Sequence, residues 1–122
     1  MIPIRAAKTV TVTAALVPVL EIDVAGKEFL FVAFTVATAA LDQLQVIARA
    51  VPEKSGHPAI IASIGTDFTT PLGDIVKASG DLTVASTSGV HWLSMTVGGF
   101  SVVEIHCASG TTSIINMQAS GG

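Results

Sequence analysis

The residues with the most chemical potential in this sequence are two histidines and a glutamate in its last third. His91, Glu104 and His106 fall on two runs of alternating residues that flank Gly98-Gly99. A two-residue Gly-Gly loop is typical of a tight hairpin turn. In that register His91 lies opposite His106, with Glu104 two residues along on the same face. Two imidazoles and a carboxylate are ligands that Zn²⁺ accepts, so His91 and His106 are candidate metal ligands.

A simpler interpretation competes with the metal site and is the one that we favour. No third ligand follows at a metal-motif spacing, so the two histidines are expected to be ordinary polar residues of a sheet surface. Cys107 is next to His106 and suggests a Cys–His dyad, but neighbours on a strand point to opposite faces. We therefore predict that Cys107, the single cysteine, is a small buried core residue.

Three aspartates lie in or beside a long polar segment. Paired carboxylates could hydrolyse glycosides or bind Ca²⁺, and the residues in question are Asp67, Asp74 and Asp81. The Ca²⁺-loop pattern is absent, and aspartates spaced along a loop are mostly turn formers. His57 lies in another polar loop and has no predicted role. Since no phosphate-binding glycine loop is present either, we predict no catalytic residue, no cofactor and no enzymatic activity.

The composition limits the partners of this protein. Of its 122 residues 50% are hydrophobic and 12% are charged, with a net charge of −3, whereas an ordinary domain has about 25% charged residues. The six basic residues are scattered, which argues against nucleic acid. The uncharged run 29–41 is shorter than the roughly 20 residues of a spanning helix, so no membrane partner is expected. Residues 10–20 alternate with Thr and contain Pro18, which favours a strand over a signal peptide.

Alternation of apolar and polar residues predicts an all-β chain. Eight or nine mostly antiparallel strands recur about every ten residues, as in a single β-sandwich of jelly-roll-like or immunoglobulin-like type over residues 1–122. Residues 1–7 are expected to form a short N-terminal arm and residues 120–122 a flexible end. The predicted strands are 8–13, 16–24, 29–36, 43–51, 59–64, 82–85, 90–97, 100–108 and 112–119.

One of these strands is apolar on both faces. Phe29 and Phe31 alternate with Leu30, Val32 and Phe34, so both sides of the strand must be covered by the core or by another subunit. A surface poor in charge is usually buried in assemblies. We therefore predict that these five residues contribute to an interface, with one face of the strand serving a neighbouring subunit.

Six stretches resemble a class of small all-β phage structural proteins, in composition and layout over nearly the whole chain. They are TVTVT at 9–13, LEIDVAG at 20–26, FTVATAALDQLQV at 34–46, ASGDLT at 78–83, VGGFSVV at 97–103 and ASGTT at 108–112. The resemblance implies a capsid decoration, minor capsid, or neck and tail accessory protein located in the virion. It transfers no functional residues, because the class defines none.

The resemblance also implies the partners. The expected ones are further copies of this chain, in a homo-oligomer for which a trimer suits the three-fold positions of a capsid, and the major capsid protein or other virion proteins. The alternative is a carbohydrate- or receptor-binding sandwich of a tail or fibre. One Trp and no Tyr count against a sugar-stacking platform.

Overall fold

The computed structural model describes residues 4–49, 58–65, 76–78 and 90–122. In this part of the chain nine strands form two antiparallel sheets, which confirms the all-β prediction. The strands are β1 (Ile4–Val12), β2 (Val17–Asp23), β3 (Phe29–Ala37), β4 (Gln43–Arg49), β5 (Pro58–Gly65), β6 (Val76–Ala78), β7 (His91–Thr96), β8 (Val102–Ala108) and β9 (Ser113–Gly121). Sheet A has the order β1-β9-β3-β7-β6 and sheet B the order β2-β8-β4-β5. The described residues contain no helix long and apolar enough to cross a membrane.

β3, β4 and β9 bury every second side chain, as the period of a strand requires. One hydrophobic cluster contains residues from both sheets, so the sheets share a core in a sandwich-like arrangement. Sheet A contributes mainly Val12, Leu30, Val32, Phe34, Val36, Leu93, Met95, Ile115 and Met117. Sheet B contributes mainly Leu20, Ile22, Leu44, Val46, Ala48, Val103, Ile105 and Cys107.

The hairpin predicted around Gly98-Gly99 is wrong. The chain does turn there, because the Phe100 amide donates to the Val97 carbonyl at 3.0 Å. However, β7 pairs with β3 and β6 in sheet A, while β8 pairs with β2 and β4 in sheet B. Only the second glycine has a positive φ, 92° at Gly99, which is the pattern of a type II turn rather than the primed turns that match the twist of a hairpin. The turn therefore sends the chain from one sheet to the other.

A second turn of the same kind lies beside the first. It joins β2 to β3, with the Lys27 amide donating to the Val24 carbonyl at 2.9 Å and with φ of 75° at Gly26. The Val97 amide donates to the Glu28 carbonyl at 2.9 Å and so connects the two turns. The two crossings between the sheets are thus held together at one end of the molecule.

The predicted N-terminal arm and flexible C-terminal end are also wrong wherever the structure describes them. Residues 4–7 belong to β1, in which Ile4 lies opposite Gly121 and Arg5 opposite Ser120. Gly122 is bonded as well, since its amide donates to the Phe29 carbonyl at 3.1 Å. These terminal segments are ordered as strands because pairing satisfies their backbone hydrogen bonds. Sequence alternation does not identify the partner of a strand, so it did not predict the β1–β9 pairing. Residues 1–3 lie outside the described part of the chain.

The middle of the chain agrees with the sequence where it is described. Residues 38–42 connect β3 to β4, and residues 43–49 form a strand, as predicted. The buried Ser113 hydroxyl donates to the Ala37 carbonyl at 2.8 Å, which anchors the end of β3. The predicted strand 59–64 lies within β5. The predicted strand 82–85, the loop 52–57 and most of the long segment 65–80 lie outside the described residues.

Candidate functional site

The two candidate metal ligands lie on different sheets. His91 is in β7, on the side of Leu93, and its ring centroid is 5.4 Å from that of Phe34. His106 is in β8, on the outer face of sheet B. The predicted His91–His106 pair is therefore wrong, because it depended on the hairpin that does not form. Among the described residues, no group of three or more His, Cys, Asp or Glu side chains could hold a metal ion.

His106 belongs instead to an ionic cluster with Glu104 and Arg49. Arg49 Nε lies 2.5 Å from Glu104 Oε2, and His106 Nε2 lies 3.3 Å from Glu104 Oε1. Glu104 is only 3% exposed although it points away from the core. The hydrogen bond from Arg49, with the contribution of His106, lowers the pKa of Glu104 despite its burial. The carboxylate is therefore held ionised, which suits a structural ion pair better than a proton donor.

Cys107 lies on the opposite face of β8 from His106, as predicted. The thiol is free and fully buried, and burial raises its pKa far above the ordinary value. A thiol held in this state is a poor nucleophile, so the two neighbours do not form a catalytic dyad. His57, Asp67, Asp74 and Asp81 lie outside the described residues.

The outer face of sheet A is the candidate site. It consists of the outward side chains of four adjacent strands, which are exposed or half-buried: Arg5, Ala7, Thr9 and Thr11 of β1, Ile114, Asn116, Gln118 and Ser120 of β9, Phe29, Phe31, Ala33, Thr35 and Ala37 of β3, and Trp92, Ser94 and Thr96 of β7. Arg5 is the one charged residue in these rows of the four strands, and β6 at the edge of the sheet places Lys77 opposite Ser94 in the register. The outer face of sheet B differs, because it presents Glu21, Asp23 and the Glu104 cluster. The shortage of charge in the sequence is thus concentrated on one side of the molecule.

The structure divides the five predicted interface residues between two environments. Leu30, Val32 and Phe34 are at most 1% exposed and belong to the core of the chain itself. Their assignment to an interface needs correction, because the opposite sheet already covers them. Phe29 is 45% exposed and Phe31 is half-buried, and both lie on the outer face of sheet A. Only this outer row is available to a partner.

Two aromatic rings stand together on the outer face of sheet A. The ring centroids of Phe31 and Trp92 are 6.0 Å apart and their planes differ by 22°. Beside them a shallow depression of about 550 Å³ extends toward β1 and β9. Its lining includes Arg5, Ala7, Phe31, Ala33, Gln118 and Ser120. The small side chains of Ala7, Ala33 and Ser120 lie near the two rings, so the surface of this face is uneven.

Sequence reasoning missed most members of this face. The alternation of residues 8–13 and 112–119 predicts a half-exposed strand in each segment. It does not show that β1 and β9 are neighbours, or that β9 lies against β3. The face exists only because strands distant in the sequence pair with one another.

Comparison with protein-family models finds no match, and the comparison with curated proteins finds none either. Among solved structures, the crystal structure of the SPBc2 prophage-derived protein YomS is similar to this chain. The two share 12% sequence identity with a TM-score of 0.55, over 98% of this chain and 96% of that chain. At this identity the similarity concerns the fold, and the neighbour that shares it is a prophage-derived protein.

Proposed function

We propose that this protein is a non-enzymatic structural protein of a phage virion, and that it acts as a capsid decoration or minor capsid protein. The observation that carries the proposal is the outer face of sheet A, where Arg5 is the one charge in the outward rows of β1, β9, β3 and β7, and where Phe29, Phe31 and Trp92 are partly open to solvent. A broad neutral face with an aromatic cluster is typical of surfaces that bind other proteins. The protein would stabilise the shell through contacts with further copies of itself and with the major capsid protein.

The strand order supports this class of protein. Four antiparallel pairs are nested in the sequence: β1 with β9, β2 with β8, β3 with β7 and β4 with β5. The pairs occupy the two sheets alternately, with β1–β9 and β3–β7 in sheet A and β2–β8 and β4–β5 in sheet B. This nesting is similar to the rolled ribbon of a jelly-roll sandwich, and the similarity supports the proposal because the jelly roll is common among viral capsid domains. The fold shared with a prophage-derived protein supports the same assignment.

The ionisable residues also favour a structural role. The described carboxylate with a shifted pKa is Glu104, whose charge is already used by Arg49 and His106. Cys107 is buried, and its raised pKa keeps it protonated. Neither group has the exposed, activated state that nucleophilic or acid–base catalysis needs.

The proposal is tested on particles released by cells that carry this gene. Particles purified on a density gradient would be analysed by quantitative mass spectrometry, with the ratio of this protein to the major capsid protein as the readout. We expect many copies per particle, in a fixed ratio to the capsid protein. A few copies per particle would exclude a decoration role, and complete absence from purified particles would overturn the virion assignment.

A second candidate is a carbohydrate- or receptor-binding module of a tail or fibre. The specific observation is the Phe31–Trp92 ring pair beside a depression that offers the Arg5 guanidinium and the Gln118 amide. Rings next to polar groups can stack on a sugar and bond its hydroxyls. A glycan array would test this candidate, and it requires hits that disappear in Trp92→Ala but persist in Gln45→Ala, a change on the outer face of sheet B.

A further inference from the structure

We propose that the outer face of sheet A binds the same face of a second copy of this chain, around a two-fold axis that runs parallel to β9 and β3 and lies between them. The inference rests on the proposed function only in taking this face as an assembly surface. It adds the partner, the symmetry and the residues that meet.

The strand register places the outward side chains of sheet A in rows across the sheet. One row is Arg5, Ser120, Phe31 and Ser94, and the next is Ala7, Gln118, Ala33 and Trp92, each in the order β1, β9, β3, β7. A third row is Thr9, Asn116 and Thr35, and a fourth is Thr11, Ile114 and Ala37, each in the order β1, β9, β3. In the first two rows large and small side chains alternate: the rings are Phe31 on β3 and Trp92 on β7, and the residues related to them across the β9–β3 line are Ser120 and Ala7.

A two-fold axis along that line brings β7 of one copy over β1 of the other, and β3 over β9. Because the axis is parallel to the strands, each row of one copy faces the same row of the other. Trp92 then lies over Ala7 of the second copy, and Phe31 lies over Ser120. In the same way Gln118 faces Ala33 and Ile114 faces Ala37. In each of these four facing pairs a large side chain meets a small one, so the two copies can pack without a clash between large side chains. Interfaces of this kind are self-complementary in the manner that a two-fold axis requires.

The charges are compatible with the same arrangement. Arg5 faces Ser94 of the second copy, so the two guanidinium groups do not meet, and the next basic residue in the register is Lys77, one strand further out on β6. The amide of Gln118 has no hydrogen-bond partner in the described part of the chain, and it can donate or accept across the axis. The outer face of sheet B would be a poorer partner, because it presents Glu21, Asp23 and the Glu104 cluster, whose desolvation is costly.

The size of the face is that of a small interface. β1, β3 and β9 are each nine residues long and β7 is six residues long, so the four strands cover roughly 530 Å² before side-chain relief is counted. A standard interface buries about 800 Å² per partner. Two sheets packed face to face with aligned strands are also a common arrangement in proteins. We therefore expect a dimer in solution, in place of the trimer that the sequence-based prediction favoured.

The first experiment measures mass in solution by sedimentation equilibrium over a range of concentrations. We expect the wild-type chain of 12.4 kDa to sediment at twice that mass. Ala33→Arg places a charge at the centre of the face on both copies and should weaken association by at least about 30-fold. Gln45→Arg places the same charge on the half-exposed outer face of sheet B and should leave the dimer unchanged. A wild-type monomer, or a trimer that Ala33→Arg does not affect, would overturn the proposal.

The second experiment does not depend on weakening the interface. A residue beside the two-fold axis lies close to the same residue of the second copy. With strands roughly 5 Å apart and sheets roughly 10 Å apart, the Cα atoms of the two Gln118 residues would be about 11 Å apart. A short bismaleimide should therefore cross-link Gln118→Cys into dimers at micromolar concentration, while Gln45→Cys stays a monomer on a denaturing gel. The native Cys107 is buried and should react little. Equal cross-linking of the two variants would contradict the two-fold arrangement.

The two proposals fail separately. If the protein is abundant in purified particles but monomeric in solution, the two-fold pairing is wrong and the virion role stands. If the protein forms the predicted dimer but is absent from particles, the virion role is wrong and the pairing stands.

Discussion

Glu104 is a buried carboxylate on the outward side of a strand, where an exposed polar residue is the usual finding. Its two oxygens are occupied by different partners, Arg49 at 2.5 Å and His106 at 3.3 Å. These hydrogen bonds replace the water that the carboxylate loses, which is the condition for burying a charge. Arg49 lies at the end of β4 and His106 on β8, so the cluster also joins the two central strands of sheet B.

Replacing Glu104 with Gln should destabilise the protein. The change removes the charge that Arg49 and His106 bond while keeping the size of the side chain. We expect a loss of about 1.5–3 kcal/mol in the free energy of unfolding, the usual value of hydrogen bonds to charged groups. Urea denaturation at pH 7 measures it, with Glu28→Gln, a change at an exposed glutamate between β2 and β3, as the control that should cost under about 0.5 kcal/mol. An equal loss of unfolding free energy in both variants would show that the hydrogen bonds of Glu104 do not stabilise the fold.

The same carboxylate predicts a pH dependence. The pKa of Glu104 in the folded protein is lowered from 4.5, first by the Arg49 hydrogen bond. A lowered folded pKa gives a stabilisation that is fully present above the unfolded pKa and is lost as the pH falls through the folded pKa. The difference in unfolding free energy between wild type and Glu104→Gln should therefore shrink as the pH falls below 4.5, the ordinary pKa of the carboxyl group. Urea denaturation at several pH values measures this difference, and a constant difference down to pH 3 would contradict the assignment.

At the scale of the element, β3 has the most to explain, because its sequence is apolar on both faces while only one face is in the core. The inner row packs against sheet B, and the outer row remains accessible. A strand at the centre of a five-stranded sheet is bonded along both edges, here to β9 and β7. Its outer side chains are therefore presented on a rigid platform, which suits a binding surface.

The two faces of β3 should respond differently to truncation. Leu30→Ala removes a fully buried side chain and should cost about 2–5 kcal/mol. Phe29→Ala removes a larger side chain that is 45% exposed and should cost under about 1 kcal/mol in the monomer. Chemical denaturation under conditions where the chain is monomeric measures both values. A loss on Phe29→Ala as large as that on Leu30→Ala would mean that the outer row is part of the folding core.

The pairing of β9 with β3 is sensitive to a methyl group at Gly121. A Cβ at this position would meet the Phe29 carbonyl oxygen and would lie 3.1 Å from Leu30 Cα, and both are backbone atoms that cannot easily move. Gly121→Ala should destabilise the protein by about 1–3 kcal/mol and lower its melting temperature.

Gly98 supplies the control for that experiment. A Cβ there has no atom within 4 Å, so Gly98→Ala should change stability by under about 0.5 kcal/mol. Identical melting temperatures for the two alanine variants would mean that the end of β9 does not approach β3 as the structure shows.

At the scale of the whole molecule, the nested strand pairs have consequences for folding. β1 pairs with β9 and β2 with β8, so the ends of the chain must meet before sheet A is complete. Closing such long loops costs conformational entropy, and this cost is incurred before the stabilising contacts between the strands form. The same closure creates the outer face of sheet A, and the binding surface and the folded state therefore form together.

Refolding should accordingly be slow for a chain of this size. We expect a time constant of milliseconds to seconds, the range of sandwiches with mostly non-local pairing. Trp92 is the single tryptophan and lies in sheet A, so its fluorescence in stopped-flow dilution from urea reports the step. Complete recovery of native fluorescence in microseconds would be inconsistent with this topology.

The sequence by itself determined the strands and their two-sided character. Alternation predicted seven of the nine strands within a few residues, the connection 38–42 and the burial of Cys107, because burial on one face imposes a period of two on the side chains. Low charge with an apolar strand also predicted that some surface would be available to a partner. These properties are local, and each follows from residues adjacent in the chain.

Only the tertiary structure decided which strands are neighbours. The Gly98-Gly99 turn is compatible with a hairpin or with a crossing, and the φ of one residue selects the crossing, which separates His91 from His106. The same pairing placed Leu30, Val32 and Phe34 in the core and left Phe29 and Phe31 outside. Alternation shows that a strand has two different faces. Which face is in the core depends on burial against the opposite sheet, whose strands are distant in the sequence.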